Sequence, residues 1–290
     1  SLLLKENEMK LLRVGEINQE KPAIIDEHGN YRDLSYYVED ISGSQLSKEN
    51  LAKLAQIDLT TLPLIAQDSR IGACIADVGK FVCIGLNYAD HAEEANMPIP
   101  QEPVVFNKWT SAICGPNDDI VKPSSSTKMD WEVELGIVIG EDAKNVSEED
   151  ALDHVAGYCL INDVSERHFQ LEISGGQWDK GKGCDTFGPL GPYLVTKDEV
   201  GDVHNLAMTL SVNGTRYQNG NTKTMIFKPA FIVSYLSKFM TLKAGDIIST
   251  GTPPGVGMGQ SPEVFLNVGD EITLSIEGLG TQSQTVVAES

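Results

Sequence analysis

The sequence predicts an α+β fold that is predominantly β: a barrel or roll of short strands, preceded by a small α+β region. Short β patterns punctuated by Gly and Pro dominate the chain beyond about residue 75. Helical patterns are few. Strands and helices never settle into a βαβ rhythm, which disfavours a Rossmann sheet. The 290 residues suit one large or two unequal domains at roughly 150 residues each. The change in texture places the boundary near residue 75, giving an accessory domain over 1–75 and a main domain over 76–290.

Taken in order, Met9 to Ser35 reads as short strands around a His28-Gly29-Asn30 turn. The first eight residues read as an extension ahead of Met9. Ser47 to Gln56 reads as a helix with Leu51, Leu54 and Ala55 on one face and Ser47 as its cap. Strands are expected at Phe81–Leu86, Trp131–Ile139, Val155–Ile161, Tyr193–Thr196, Leu206–Val212, Asp246–Ser249 and Glu271–Glu277. A Gly-Asp step precedes three of them, at Gly201, Gly245 and Gly269, as similar turns rather than as a repeat array. Two helices remain: Ser147–Asp153, capped by Ser147, and Lys228–Phe239, opened by Pro229.

Composition narrows the function classes. The 22 basic and 42 acidic side chains leave a net charge of −20. That argues against a nucleic-acid partner and against an anionic membrane surface. The five cysteines are odd in number and widely spaced, so a disulfide framework or cysteine zinc site is not expected. Ser1 to Leu4 is too short an apolar run for a signal peptide, and Ile71 to Leu86 is broken by Asp77 and Lys80. A cytoplasmic protein is expected.

The strongest chemical signal is Trp131-Glu132-Val133-Glu134-Leu135. Strand side chains alternate, so Glu132 and Glu134 share a face, roughly 6.5 Å apart along the strand. Two such carboxylates can converge on one cation, and oxygen donors suit Mg²⁺ or Mn²⁺. The alternative is a half-buried strand with an acidic solvent face. Asp163 ends the apolar run Val155–Ile161 and would complete a three-carboxylate cage; it could equally cap the following turn. His91 and Glu94 fall on one face of a helical turn, an arrangement that orients a neutral general base. A solvated surface pair has the same spacing. Gly176 to Lys182 fits G-x-x-x-x-G-K, but Gly183 stands where a P-loop needs Ser or Thr, so a nucleotide site is rejected. Lys182 can still donate to an anionic oxygen, or be a plain loop lysine. In Ser249 to Gly257, Gly251 permits a close backbone approach, and Thr252 with nearby N–H groups could hold a carboxylate, unless the segment is only a turn.

In this order, the stretches GLNYADHAEEA, PVVFNKWTSAICGP, MDWEVELGIVIG, YCLINDVSERH, GKGCDTFGP and STGTPPGVG resemble the fumarylacetoacetate hydrolase family. The resemblance covers nearly everything from about residue 80 onward and is nearest to bacterial acylpyruvate or 2,4-diketo-3-deoxy-sugar-acid hydrolases; the leading region resembles more loosely the small first domain of longer bacterial members. It implies a β-roll or barrel with Glu132, Glu134 and Asp163 holding Mg²⁺ or Mn²⁺. It also implies a His91–Glu94 dyad with Lys182 as catalytic groups, and Lys108, Arg167, Gln170, Gly251 and Thr252 facing substrate. The segment Pro98–Pro103 would form a lid, and a homodimer or dimer-based assembly would follow.

The activity so implied is hydrolysis of a C–C bond in a 2,4-dioxo acid of acylpyruvate type, giving pyruvate and a carboxylic acid. The metal would chelate the 1-carboxylate and 2-oxo oxygen and stabilise the enolate, while His91 activates water. Oxaloacetate decarboxylation, isomerisation of unsaturated dioxo-diacids and ureidoglycolate lysis can use the same groups, and a non-catalytic metal-binding β protein is the alternative outside enzymes. The negative field predicts that the protein barely binds an anionic substrate without metal.

Overall fold

The computed structural model describes residues 8–94 and 96–290. The extension read ahead of Met9 lies, apart from Glu8, outside them. Two open sheets form the body of the molecule, with two short two-stranded sheets beside them among the described residues. The larger has ten strands and runs from Leu64–Ile65 at one edge to Val104–Lys108 at the other. Its centre holds Val155–Asn162, Val133–Ile139, Ile247–Ser249 and Phe81–Gly85 as neighbours. A second sheet of five strands contains Ala207–Val212 and Glu271–Ile276. Neither sheet closes among the described residues, so of the expected roll or barrel the roll is what forms.

The expected strands appear within a residue or two of their expected ends. Trp131 and Glu132 precede their strand, which starts at Val133. Both faces of that strand are covered. Val133, Leu135, Ile137 and Ile139 pack toward the five-stranded sheet, against residues such as Met208 and Leu274. Val138 packs on the opposite side with Cys83, Cys159 and residues of the leading region, including Leu11 and Leu34. A continuous buried run of this kind reads as a two-sided core strand.

The leading region belongs to the same sheet. Its strands Lys10–Val14, Lys21–Ile25, Tyr31–Asp33 and Leu64–Ile65 continue the ladder, with Lys10 opposite Val195 and Leu11 opposite Leu194. Ion pairs reinforce the contact. Arg70 donates to both oxygens of Asp118, at 2.9 and 2.6 Å, and to Glu20, while Arg13 grips Asp40.

Local signals fix the helices. Ser47 caps Lys48–Ala55 by accepting from the Asn50 amide, as its spacing predicted. Pro229 opens Pro229–Leu236, which buries Ile232, Val233 and Leu236. The helix expected over Ser147–Asp153 shrinks to a 3₁₀ turn at Ala151–His154; Ser147 still accepts from the Asp150 amide. No helix among the described residues is long and apolar enough to cross a membrane.

Gly157 shows how tight the central ladder is. It pairs with Thr196, and a Cβ added there would lie 2.1 Å from the Val195 carbonyl oxygen. Backbone cannot yield as a flexible side chain does. Gly157→Ala is therefore expected to cost about 1–3 kcal/mol or more through overpacking, read as a lower urea midpoint at unchanged m.

Candidate active site

Three strand ends converge to make the site. Val133–Ile139 runs antiparallel to Val155–Asn162 with Val133 opposite Asn162, and antiparallel to Ile247–Ser249 with Gly136 opposite Ser249. This register brings the start of the first strand beside the ends of the other two. Glu132 and Asp163 become cross-strand neighbours: the Asp163 amide donates to the Glu132 carbonyl at 2.9 Å, and the Asn162 side chain accepts from the Glu132 amide. Glu132, Glu134 and Asp163 each offer an oxygen within 4.8 Å of the others.

All three carboxylates are buried, which excludes the solvated acidic face and the exposed cap that the sequence left open. Each is held differently. Asp163 lies between two ammonium groups, Lys108 at 2.6 Å and Lys182 at 3.0 Å. Glu132 accepts from Arg167 Nη2 at 2.8 Å and faces Lys182 at 3.3 Å. Burial pushes its carboxyl up, but Lys182 and Arg167 outweigh this and hold it well below the usual carboxylate range. Glu134 has no cation of its own. It accepts from Ser249 Oγ at 2.6 Å and from the Gly251 amide at 3.0 Å. Burial first, then the charges of Asp163 and Glu132, push its carboxyl well above the usual range.

That donor set fits a divalent ion. It is made only of oxygen, and Glu134, the acid with no cationic partner, is the one whose charged form the neighbouring acids disfavour and a cation would favour. Glu132, Glu134 and Asp163 are the residues that would hold Mg²⁺ or Mn²⁺.

Beside this cluster opens a cavity of about 190 Å³, lined by His91, Glu132, Arg167, Gln170, Lys182, Gly251 and Thr252 among others. His91 stands on the helix Ala89–Glu94. Its Nδ1 is buried without a hydrogen-bond partner and lies 3.8 Å from Glu94 Oε2, so the pair is adjacent but not hydrogen-bonded. Lys182 is no exposed loop lysine. It ends the short helical turn Asp179–Lys182 and is 2% exposed. Burial lowers its affinity for a proton, but Asp163 and Glu132 more than restore it, so the ammonium keeps its charge.

Several residues expected to face substrate do other work. Lys108 does not line the cavity; its ammonium is spent on Asp163 and on the Val164 carbonyl. Arg167 lines the cavity, yet its guanidinium is bonded to Asp130, Glu132 and Gln170. Thr252 Oγ1 donates to the Val133 carbonyl and accepts from Gln218. The Gly251 amide does bind a carboxylate, but it is Glu134's own. Gly251 adopts φ +101°, and a Cβ there would meet Asn87 at 2.9 Å, so glycine is required at this bend.

Sequence reasoning missed Asp130 and Gln218. Asp130 is fully buried and accepts from Arg167 Nε and from the Gly257 and Met258 amides, tying the loop after Thr252 to the arginine that holds Glu132. The acids recur at every second position in Asp130-Trp131-Glu132-Val133-Glu134, and that alternation is the signal that could have found it. Gln218 comes from the other sheet, accepting from the Val133 amide and donating to Thr252, and no local pattern announces it.

Comparison with known proteins places this geometry. The family model described as fumarylacetoacetate (FAA) hydrolase C-terminal matches residues 80–287. The chain belongs to the fumarylacetoacetate hydrolase family. A Burkholderia orbicola relative, provisionally named a hydrolase, is 62% identical over 277 residues, covering 95% of this chain and 98% of its own. The fumarylacetoacetate hydrolase of Exiguobacterium antarcticum superposes with TM-score 0.87 at 34% identity, covering 97% of this chain and 100% of that one. The 2-hydroxyhepta-2,4-diene-1,7-dioate isomerase of Mycobacterium marinum gives 0.75 at 33%, covering 97% and 99%. The maleylpyruvate hydrolase of Sphingobium sp. SYK-6, solved with manganese(II) and pyruvate, gives 0.81 at 27%, covering 97% and 100%.

The Asp130 linkage leads to a prediction. Asp130→Asn weakens the hold on Arg167 and lets Glu132 drift, so Mn²⁺ affinity is expected to fall about 10–100-fold while the melting transition stays cooperative. Calorimetric Mn²⁺ titration of variant and wild type reads this out; equal affinities would show that Asp130 serves the loop alone.

Proposed function

We propose that this chain is a divalent-metal-dependent hydrolase that cleaves a C–C bond in a 2,4-dioxo acid of acylpyruvate type, releasing pyruvate and a carboxylic acid. The observation that carries the reading is one cavity lined both by Glu132 of the three-carboxylate cluster and by His91, whose Nδ1 faces Glu94. Kinship with a protein solved with manganese(II) and pyruvate supports the same chemistry.

When bound, Mg²⁺ or Mn²⁺ supplies Lewis-acid polarisation of a carbonyl and charge to stabilise an enolate. The protein groups divide the remaining tasks. His91 turns its buried Nδ1 toward Glu94, which is close enough to orient the ring, and this leaves Nε2 to accept a proton from water. Lys182 holds a fixed positive charge at the cavity wall, suited to a developing oxyanion. Arg167 and Lys108 keep Glu132 and Asp163 in place.

Similarity to the M. marinum isomerase supports a second reading, isomerisation of an unsaturated dioxo-diacid at the same centre. It predicts a change in ultraviolet absorbance with no pyruvate released.

Pyruvate release from acetylpyruvate with Mg²⁺ present is expected to stop on chelation and return when the metal is restored. Glu134→Ala turning over as fast as wild type would remove the metal assignment. His91→Ala is expected to lose about 10²–10⁴-fold in turnover while still binding Mn²⁺, and full activity in that variant would remove the proposed base.

A further inference from the structure

The cavity also carries information about the acyl end of the substrate, an inference that rests on the hydrolase reading above. Arg167 and Lys182 are the lysine and arginine side chains that line it, and both are committed. Arg167 bonds Asp130, Glu132 and Gln170 through its three nitrogens. Lys182 bonds Asp163 at 3.0 Å and Ser165 at 2.7 Å and faces Glu132 at 3.3 Å. The rest of the wall is largely apolar: Met97, Phe106, Leu171, Trp178, Val256 and Met258. His91, the other basic side chain on the wall, acts in the proposed reaction as an uncharged base.

Charge balance points the same way. Among the side chains linked to one another at the centre, the acids Asp130, Glu132, Glu134 and Asp163 face the cations Lys108, Arg167 and Lys182, one net negative charge when all are ionised; buried Glu166, held by Ser126 and backbone amides, stands outside this set. A divalent ion turns that into one net positive charge, which a single substrate carboxylate neutralises. A second carboxylate on the acyl end would lie among apolar side chains, of which Phe106 and Val256 are buried and Met97 and Leu171 about half exposed, with no free cation to offset the water it loses. At about 190 Å³ the space is also below the roughly 300–1,000 Å³ of sites for larger ligands.

We infer that the substrate is a monocarboxylate whose acyl group is short, uncharged and mainly apolar, and that dioxo-diacids are rejected at the wall formed by Leu171, Trp178 and Met258. Two shape-matched acylpyruvates test this: 4-methylpentanoylpyruvate, and succinylpyruvate, which carries a carboxylate where the first carries an isopropyl group. The uncharged compound is expected to have a kcat/KM on the order of 100-fold higher. Equal or reversed values overturn the inference and leave the hydrolase reading standing.

Should neither be cleaved, the hydrolase reading fails, and binding decides the acyl question alone. Calorimetry of the Mg²⁺-loaded protein with 6-methyl-2-oxoheptanoate and with 2-oxoadipate is then expected to favour the monoacid. Tighter or equal binding of the diacid, or no binding of either, overturns the inference. Met258→Lys places an ammonium on that wall and is expected to narrow the monoacid preference at least tenfold in the same titration; an unchanged ratio overturns the placement.

Discussion

Asp163, pinned between the ammonium groups of Lys108 and Lys182, is the contact on which the rest of the structure depends. All three side chains are fully or almost fully removed from water, where an unpaired charge would cost several kcal/mol. Pairing them requires elements far apart in sequence to arrive together: the edge strand bearing Lys108, the turn bearing Lys182 and the strand end bearing Asp163. The same logic extends outward through Arg167 to Asp130 and Glu132. A buried ionic network of this kind is poor value as a source of stability. Its value lies in fixing where each oxygen stands, and Glu134, the acid left without a cation, marks where charge is still lacking.

Much of this was legible in the chain and some was not, for physical reasons. The period-two alternation of Glu132 and Glu134 and the acid ending an apolar run at Asp163 are local patterns, and local patterns survive into the fold. So did the cap at Ser47 and the proline at the head of Pro229–Leu236. Burial could not be read: an acidic strand face looks the same whether it meets solvent or a second layer. The partners of Lys108, Arg167 and Thr252 could not be read, because each side chain reaches a group brought near by the tertiary fold, which no window of sequence encodes; Arg167 and Thr252 still line the cavity, whereas Lys108 does not. Gln218 escaped notice for the same reason, bridging from the other sheet to Val133 and Thr252. The overlong helix at Ser147–Asp153 had a good cap but too little apolar periodicity to continue past one turn.

The net charge of −20 takes on a different meaning beside this centre. Most acidic groups coat the surface, where water screens them. The few buried ones are individually gripped, so the global field and the local field are nearly independent. An anionic ligand of the proposed kind would approach against the first and meet the second.

The shared sheet has a practical consequence. Four strands of the first 75 residues cover the side of Leu194–Thr196 that would otherwise be open, and that strand flanks the one ending in Asn162. Cutting the chain back to the stretch matched by the family model would leave a row of unpaired amides and carbonyls beside exposed Leu and Ile side chains. Such a row is a template for pairing with other chains. The leading segment therefore acts as a permanent edge guard, and a tag or fusion partner is better tolerated at the tip of a surface turn than in its place.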